Sequence, residues 1–314
     1  MVKLKQQELK EATYLNVVNR RFMEKSKVYF IKDVTSENLV KLYKELGFNL
    51  PGKIAIKVHS GEEGNQNYLR PEFMKPLIDY LGGTVVECNT AYGGERNTTE
   101  KHLKTIEKHG WNMYKFDLMD REGPDLSLPV ENGVHLHENY VGKNLANYDS
   151  MLVLSHFKGH PMGGYGGALK QLSIGCASSE GKAWIHSAGT NKDQYTLWDN
   201  LPEQDAFLES MAEAASSVVR HFNGNMVFIN VMANMSVDCD CCAVAEDPCL
   251  SDKGILISLD PVAIDQACID IVTNSNDPGK SHFLERVNSR NGIHTIERAS
   301  ELGIGNREYE LIEL

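Results

Sequence analysis

The sequence lacks both a long apolar run and a basic tract. No segment of its 314 residues approaches the ~20 apolar residues that a membrane span requires, and the charged start resembles no signal peptide. Lys and Arg number 32 against 43 Asp and Glu, giving a net charge of −11, and no Lys/Arg-dense stretch offers a nucleic-acid-binding surface. We therefore expect a cytoplasmic protein that binds neither membranes nor nucleic acids.

Linkers, repeats and common nucleotide motifs are also missing. No Pro-, Gly- or Ser-rich linker divides the chain, and neither G-x-G-x-x-G nor G-x-x-x-x-G-K-[ST] occurs. The 7 cysteines are an odd number in a chain too large to depend on disulfides, which favours reduced thiols or metal ligands. We expect an N-terminal extension over residues 1–27 and one domain over residues 28–314.

Short apolar runs alternate with amphipathic stretches along the chain. The runs predict strands at 28–31, 54–58, 85–88, 151–154, 227–231 and 255–258, and the stretches predict helices at 36–46, 71–81, 99–109, 202–221 and from 261. This alternation predicts an α/β fold with a mostly parallel sheet covered by helices on both faces. The Gly-rich residues 159–187 are expected to form loops over the strand ends, where such sheets bind ligands.

A His/Lys/Gly segment directly follows the strand predicted at 151–154. Imidazoles ligate metals or move protons near neutral pH, and a lysine that loses its proton is a nucleophile or base. Glycines let backbone amides approach an anion. The candidate catalytic residues are His156, Lys158, His160 and Lys170, and the candidate cofactor-binding glycines are Gly163, Gly164, Gly166 and Gly167. The alternative is a tight surface turn with solvated charges.

A cysteine segment follows the strand predicted at 227–231. Its candidate metal ligands are Cys239, Cys241, Cys242 and Cys249. In an extended segment Cys239 and Cys241 point to the same face, so their thiolates could converge on one ion. The spacing C-x-C-C-x6-C matches neither structural zinc nor ferredoxin patterns. Metal or cluster binding is our first hypothesis, followed by redox-active thiols and then by inert packing.

Two further loops follow the strands predicted at 54–58 and 85–88, and the second contains Asn89 and Arg96, which are also candidate cofactor-binding residues. Carboxyl ends of parallel strands share one sheet edge, so we predict that these residues line one pocket with the His/Lys and cysteine segments. The Cys239 or Cys241 sulfur should then lie within about 12–15 Å of the Lys170 amine.

Three aspartates near the last predicted helix have simpler explanations. Asp260 precedes Pro261 and is expected to cap that helix. Asp265 and Asp270, on the helix itself, are expected to face solvent.

Several segments together resemble the DUF362 family of uncharacterised proteins, which are often labelled iron–sulfur centre proteins. The resemblance runs from about Val28 to Leu314 and rests on residues 57–59, 89–99, 155–160, 163–175, 238–241 and 258–265. Many members carry an inserted pair of ferredoxin-type clusters after the position of His186 and Ser187. This chain has no C-x-x-C-x-x-C, so an iron–sulfur assignment implied by the resemblance rests on the four cysteines named above.

The central loop is also similar to the lactate racemase loop that holds a nickel-pincer nucleotide. In that family a His ten residues before a Lys ligates nickel and the Lys carries the cofactor covalently; His160 and Lys170 have this separation. The family's other metal histidine, in a G-T-H-R motif, corresponds to Glu95 here. This resemblance implies a shared fold and an anion-binding loop but not the cofactor.

The leading hypothesis is a redox protein that depends on a metal ion or an iron–sulfur cluster. Its partners would be a small anionic substrate and an electron-transfer partner. One alternative is a redox-independent isomerase or lyase that uses the His160/Lys170 pair. Another is a scaffold protein whose cysteines receive a metal.

Overall fold

A computed structural model describes residues 25–123 and 125–314. The extension predicted at 1–27 lies almost wholly outside this range, and the first strand begins at Ser26, two residues before the predicted domain start.

The fold is built on one eight-stranded sheet with two small two-stranded sheets beside it. The strands are β1 (Ser26–Ile31), β2 (Ile54–Lys57), β3 (Thr84–Glu87), β4 (Asp117–Leu118), β5 (Leu126–Pro129), β6 (Glu138–Val141), β7 (Ser150–His156), β8 (Lys158–His160), β9 (Gly164–Gly166), β10 (Met226–Met232), β11 (Gly254–Ser258) and β12 (Tyr309–Glu313). The large sheet has the order β12-β1-β11-β10-β7-β2-β3-β4. Only β11 in that sheet runs antiparallel to its neighbours, so the prediction of a mostly parallel sheet is confirmed for the described residues.

Helices cover both faces of this sheet. They are α1 (Ser36–Leu46), α2 (Pro71–Leu81), α3 (Thr99–Lys108), α4 (Ala168–Cys176), α5 (Ser179–His186), α6 (Gln204–Phe222), α7 (Pro261–Asn274), α8 (Lys280–Ser289) and α9 (Ile293–Glu301). The central strand β7 alternates between two cores, because Leu152 and Leu154 pack with α1 to α3 while Met151 and Val153 pack with α4, α6 and α7. This period of two is typical of a strand buried on both faces.

The Gly-rich centre is more regular than expected. Residues 158–186 form the β8–β9 hairpin followed by α4 and α5, so the prediction of loops was wrong here. Gly164 has φ +78°, a conformation that favours glycine in the hairpin turn. A Cβ on Gly159 would lie 2.3 Å from the Val237 carbonyl oxygen, so glycine lets the two segments touch.

For the three aspartates near α7, the structure confirms the predicted cap and corrects a prediction of exposure. Asp260 caps α7 as predicted, accepting hydrogen bonds from the Val262 and Ala263 amides at 2.8 and 2.9 Å. The prediction of exposure was wrong for Asp265, which is fully buried and accepts from the Ala168 and Leu169 amides that begin α4. Asp270 is half-buried and accepts from the Tyr309 hydroxyl.

No helix among residues 25–123 and 125–314 is long and apolar enough to cross a membrane.

Candidate functional site

The parallel order of four strands gathers the predicted segments at one sheet edge. β10, β7, β2 and β3 are successive parallel neighbours, and His156 at the end of β7 pairs with Val231 on β10. The chain after β10 then packs on the β8–β9 hairpin, where the Gly159 amide donates to the Ser236 carbonyl at 2.8 Å. The His/Lys and cysteine segments therefore leave the same edge, as predicted.

Three donor residues converge there: His160, Cys239 and Cys241. Their ligand atoms all lie within 4.8 Å of one another. His160 Nε2 is 3.8 Å from Cys241 Sγ, and the Lys170 amine is 3.4 Å from Cys239 Sγ. This last distance is well inside the predicted 12–15 Å, so the two segments form one site. We refer to His160, Cys239 and Cys241 as the His/Cys trio.

Asp240 fixes the turn between the two trio cysteines. Its buried carboxylate accepts from His156 Nδ1 at 2.9 Å and pairs with Lys158 Nζ at 3.0 Å. Burial opposes this charge, but His156 and Lys158 hold the pKa of Asp240 well below its usual range. His156 also faces the Ala233 carbonyl through Nε2 at 2.6 Å. In this geometry His156 and Lys158 position the cysteine turn.

The hydrogen bonds of His160 define its protonation. Its Nδ1 accepts from the Gly163 and Met162 amides at 2.8 and 3.2 Å. Burial, and then the charge of Lys170, lowers the pKa of His160 well below its usual value, so the ring is neutral. A neutral ring whose Nδ1 accepts carries its proton on Nε2, the atom that faces Cys241.

The sulfurs and the Lys170 amine form one electrostatic group. Burial raises the pKa of the Cys239 thiol. Burial opposes the Lys170 charge, but Cys239 and Cys241 raise the pKa of this amine overall. The hydrogen bond with Cys241 lowers the pKa of the neighbouring Cys242 thiol. The Lys170 amine donates toward the Cys239 sulfur in this arrangement, and its role as a base or a nucleophile stays a prediction.

A cavity of about 240 Å³ opens beside the trio. Its wall combines apolar side chains with an unusual number of basic ones. The basic residues and cysteines on the wall are Lys57, His59, Cys88, Arg96, His160, Lys170, Lys182, His186, Cys241 and Cys242. Lys57 is a charged residue at the end of the apolar strand β2. This pattern is visible in the sequence and could have indicated a candidate site residue. Lys182 lies on a helix with no comparable signal.

Arg96 lines the cavity, but its charge is already balanced. Its guanidinium contacts Glu62 at 3.2 Å, Glu87 at 3.3 Å and the Tyr92 hydroxyl at 2.7 Å. Asn89 is not among the lining residues; its side chain binds Thr99 and His102 instead. The pocket thus includes Arg96 but not Asn89 of the predicted pair.

His186 presents a neutral imidazole to the cavity. Its Nδ1 donates to the Lys182 carbonyl at 2.7 Å, which leaves the Nε2 lone pair available. Burial lowers the pKa of His186 to about 4. A ring held in this way is suited to accept a proton or to ligate a metal.

A second, small cavity of about 10 Å³ lies behind the trio, lined by Ser155, His156, Lys158, Gly166, Gly167 and Lys170 among others. This is close to the minimum volume for one water. The predicted glycines have packing roles here and in the hairpin. A Cβ on Gly167 would lie 2.4 Å from Asp265 Oδ1, and one on Gly164 would lie 2.9 Å from Gly292 Cα.

The four cysteines do not converge into one cluster. Cys242 lines the large cavity next to the trio. Cys249 lies apart: its thiol donates to the Met235 carbonyl at 3.5 Å and it packs against the main core. The Cys249 backbone amide also donates to the Met235 carbonyl. Residues 243–248 therefore form a loop that brings the chain back to the residues that follow β10.

Comparison with family models shows the family to which this α/β chain belongs. The chain belongs to the DUF362 family, a domain of unknown function, whose model matches residues 54–270. No curated protein matches the sequence.

The solved structures that are similar to the chain include two with the following overlaps. One is the lactate racemase apoprotein from Thermoanaerobacterium thermosaccharolyticum, with 14% identity and a TM-score of 0.38 over 65% of this chain and 50% of that one. The other is a Thermotoga maritima protein, with 13% identity and a TM-score of 0.38 over 85% of this chain and 58% of that one. The chain therefore spans half the length of the first and 58% of the second.

Proposed function

We propose that this protein is a metal-dependent enzyme that acts on a small anionic molecule, with one metal ion held by the His/Cys trio. The observation that carries the proposal is the convergence of His160, Cys239 and Cys241 within 4.8 Å at the mouth of a basic cavity. Nitrogen and sulfur donors suit zinc, iron, nickel or copper rather than magnesium or calcium.

The spacing of the donors favours a single ion over an iron–sulfur cluster. Two sulfurs bound at ~2.3 Å to one tetrahedral ion stand about 3.8 Å apart, which is compatible with the trio after a small adjustment. A cluster of the ferredoxin type takes four cysteine thiolates, and Cys249 points elsewhere. Three protein ligands leave a fourth position for substrate or water, as in catalytic metal sites.

The surrounding residues have separate tasks in this proposal. The ion would supply Lewis acidity to a bound oxygen. Lys170 binds the anionic substrate beside the trio, and His186 accepts or returns a proton through Nε2. His156, Lys158 and Asp240 hold the cysteine turn in register with His160.

The availability of His186 Nε2 favours a second candidate, an isomerase or lyase that moves a proton next to a carboxylate. In that candidate His160 and Lys170 bind the substrate and the thiols are not needed for turnover. Cysteine variants should then lose stability but retain activity, whereas Lys170→Ala should abolish it. The redox version of the first candidate additionally requires an electron-transfer partner.

Metal content of matched cysteine variants tests the proposal. We expect about one bound ion per chain in anaerobically purified or Co²⁺-reconstituted protein, with a thiolate-to-cobalt absorption band. Cys239→Ser and Cys241→Ser should lose the ion and the band. Cys249→Ser is the matched control and should keep both. A chain that takes up no metal, or equal loss in all three variants, contradicts the proposal.

A further inference from the structure

Three lysines of the large cavity lack a carboxylate partner. Lys57, Lys170 and Lys182 all line it, and within residues 25–123 and 125–314 no Asp or Glu oxygen lies within 4.0 Å of their amines. The other basic groups nearby are paired, since Arg96 contacts Glu62 and Glu87 and Lys158 contacts Asp240. Lys170 has the Cys239 sulfur beside it. Buried charges without partners are costly, so Lys57 and Lys182 give this cavity an unmet demand for negative charge.

Lys57 and Lys182 form the end of the cavity away from the trio. Lys57 is 1% exposed and donates to the Val58 carbonyl at 2.6 Å and to Gln171 Oε1 at 3.3 Å. Lys182 is 6% exposed and donates to the Ala177 carbonyl at 2.5 Å. Each ammonium has three N–H donors, so both retain donors that no described residue satisfies.

The packing at this end keeps space for those donors. Gly175 lies inside α4, where glycine is unfavourable. A Cβ there would lie 2.7 Å from Gln171 Oε1 and 3.2 Å from Lys57 Nζ, so alanine would displace both. Burial lowers the pKa of Lys57, and Glu87, already paired with Arg96 and His102, offsets this only in part. A bound anion would favour the charged form of Lys57.

The two basic ends are separated along α4. Lys170 and Gly175 are five residues apart, which corresponds to about 7.5 Å along the helix axis. The apolar side chains on the cavity wall include Ala91, Met162 and Ile174. The cavity is smaller than the ~300–1,000 Å³ of drug-sized sites, so it suits a metabolite with a short apolar middle.

We infer that the ligand carries two anionic groups, one bound by Lys57 and Lys182 and the other by Lys170 beside the His/Cys trio. This inference builds on the proposed function, which specifies only a small anion. The end group is a carboxylate or a phosphate, because an ammonium pair serves either. Lys57 and Lys182 are thus specificity-determining residues for the second group.

Binding of a graded anion series tests the inference. The probes are acetate, the dicarboxylates malonate, succinate, glutarate and adipate, and phosphoglycolate, titrated calorimetrically into metal-loaded and metal-stripped protein. At least one doubly charged probe should bind about ten-fold tighter than acetate. The best dicarboxylate length reports the spacing of the ends, and phosphoglycolate distinguishes a phosphate from a carboxylate end.

Neutral variants locate the second subsite. Lys57→Met and Lys182→Met should weaken the doubly charged probes about ten-fold and acetate little. Lys104→Met, which removes an exposed charge on α3, should change neither. Gly175→Ala keeps every charge but displaces Lys57. If a methionine variant fails to fold, weaker binding of the doubly charged probes by Gly175→Ala tests the role of Lys57 instead. Equal binding of acetate and all doubly charged probes, or a preference unchanged in the subsite variants, overturns the inference.

The two proposals fail in different ways. A chain that binds no metal but prefers doubly charged anions would refute the metal centre and leave this subsite in place. A chain that binds metal through the trio but shows no such preference would refute the subsite alone.

Discussion

The Gly163 amide donates a hydrogen bond to His160 Nδ1 across 2.8 Å. This bond, together with the one from Met162, makes Nδ1 an acceptor and leaves the proton of the neutral ring on Nε2. Ligation of an ion through Nε2 requires that proton to move to Nδ1. The turn at 161–163 is therefore coupled to the state of the His/Cys trio.

The coupling predicts a local change on metal binding. When Zn²⁺ occupies the trio, the Met162 and Gly163 amides lose their acceptor, and their hydrogen exchange should become faster. The Gly159 amide, which donates to Ser236 in the same hairpin, is the internal control and should not change. Unchanged exchange at 162 and 163 in zinc-loaded protein would mean that the ion is not bound through His160 Nε2.

Lys170 should carry no covalent cofactor. Its amine donates toward Cys239 Sγ at 3.4 Å, and Cys239 and Cys241 raise its pKa, which favours the ammonium form that has no lone pair for a covalent bond. We expect the intact mass of the purified 314-residue chain to equal the 35.1 kDa of its sequence. An adduct that disappears in Lys170→Arg would contradict this prediction and favour the isomerase candidate.

Gly167 should tolerate substitution poorly because it touches Asp265. A Cβ at this position would lie 2.4 Å from Asp265 Oδ1, which receives the first amide of α4. Gly167→Ala should cost roughly 1–3 kcal/mol of unfolding free energy and loosen the helix that carries Lys170. Gly93→Ala is the matched control, since no atom lies within 4 Å of its Cβ position. Similar denaturation midpoints for both variants would rule out this packing role.

The location of the site at the carboxyl ends of the strands could be predicted from the sequence, because the strands themselves follow from local patterns. Apolar runs ending in polar residues identified β2, β3, β7 and β10, and parallel strands bring their carboxyl ends together. The contact between the Lys170 and Cys239 segments followed from that rule alone. The antiparallel direction of β11 did not, because strand direction depends on long-range connections that no local pattern records.

The charge balance of the site could not be predicted. Asp265 is a charged residue on a helix, which by itself favours exposure, yet Asn230 and the start of α4 surround it. The sequence around Lys182 likewise has no pattern that indicates a position in a cavity wall. Both positions depend on how α4, α5 and α7 pack over the sheet, and that packing determines which side chains are buried.

Glu87 should be a strong determinant of stability beside the cavity. This buried carboxylate pairs with Arg96 and His102 and accepts from Ser60. Glu87→Gln removes the charge while Arg96 stays buried, so it should cost roughly 3–5 kcal/mol of unfolding free energy. The control Glu100→Gln breaks an exposed pair on α3 and should have little effect in the same urea titration. A small loss for Glu87→Gln would show that Glu62 suffices for Arg96.

Asp277 should make stability depend on pH in the acidic range. Hydrogen bonds from Lys253 and Ser251 hold the pKa of this carboxyl well below its usual value. A pKa lowered in the folded state contributes stability above the unfolded value of about 3.9, and that contribution is lost as pH falls below it. Asp277→Asn should therefore cost about 1 kcal/mol at pH 7, and the difference from wild type should shrink below pH 4.

The pH series has a matched control on an exposed helix face. The side chain of Glu107 makes no hydrogen bond within the described part of the chain, so Glu107→Gln should leave the wild-type curve unchanged from pH 7 to pH 3. A wild-type advantage over Asp277→Asn that stays constant below pH 4 would contradict the prediction. In that case the substituted amide would be losing packing or hydrogen-bond geometry, not the ionic contribution that the Asp277 carboxylate makes with Lys253.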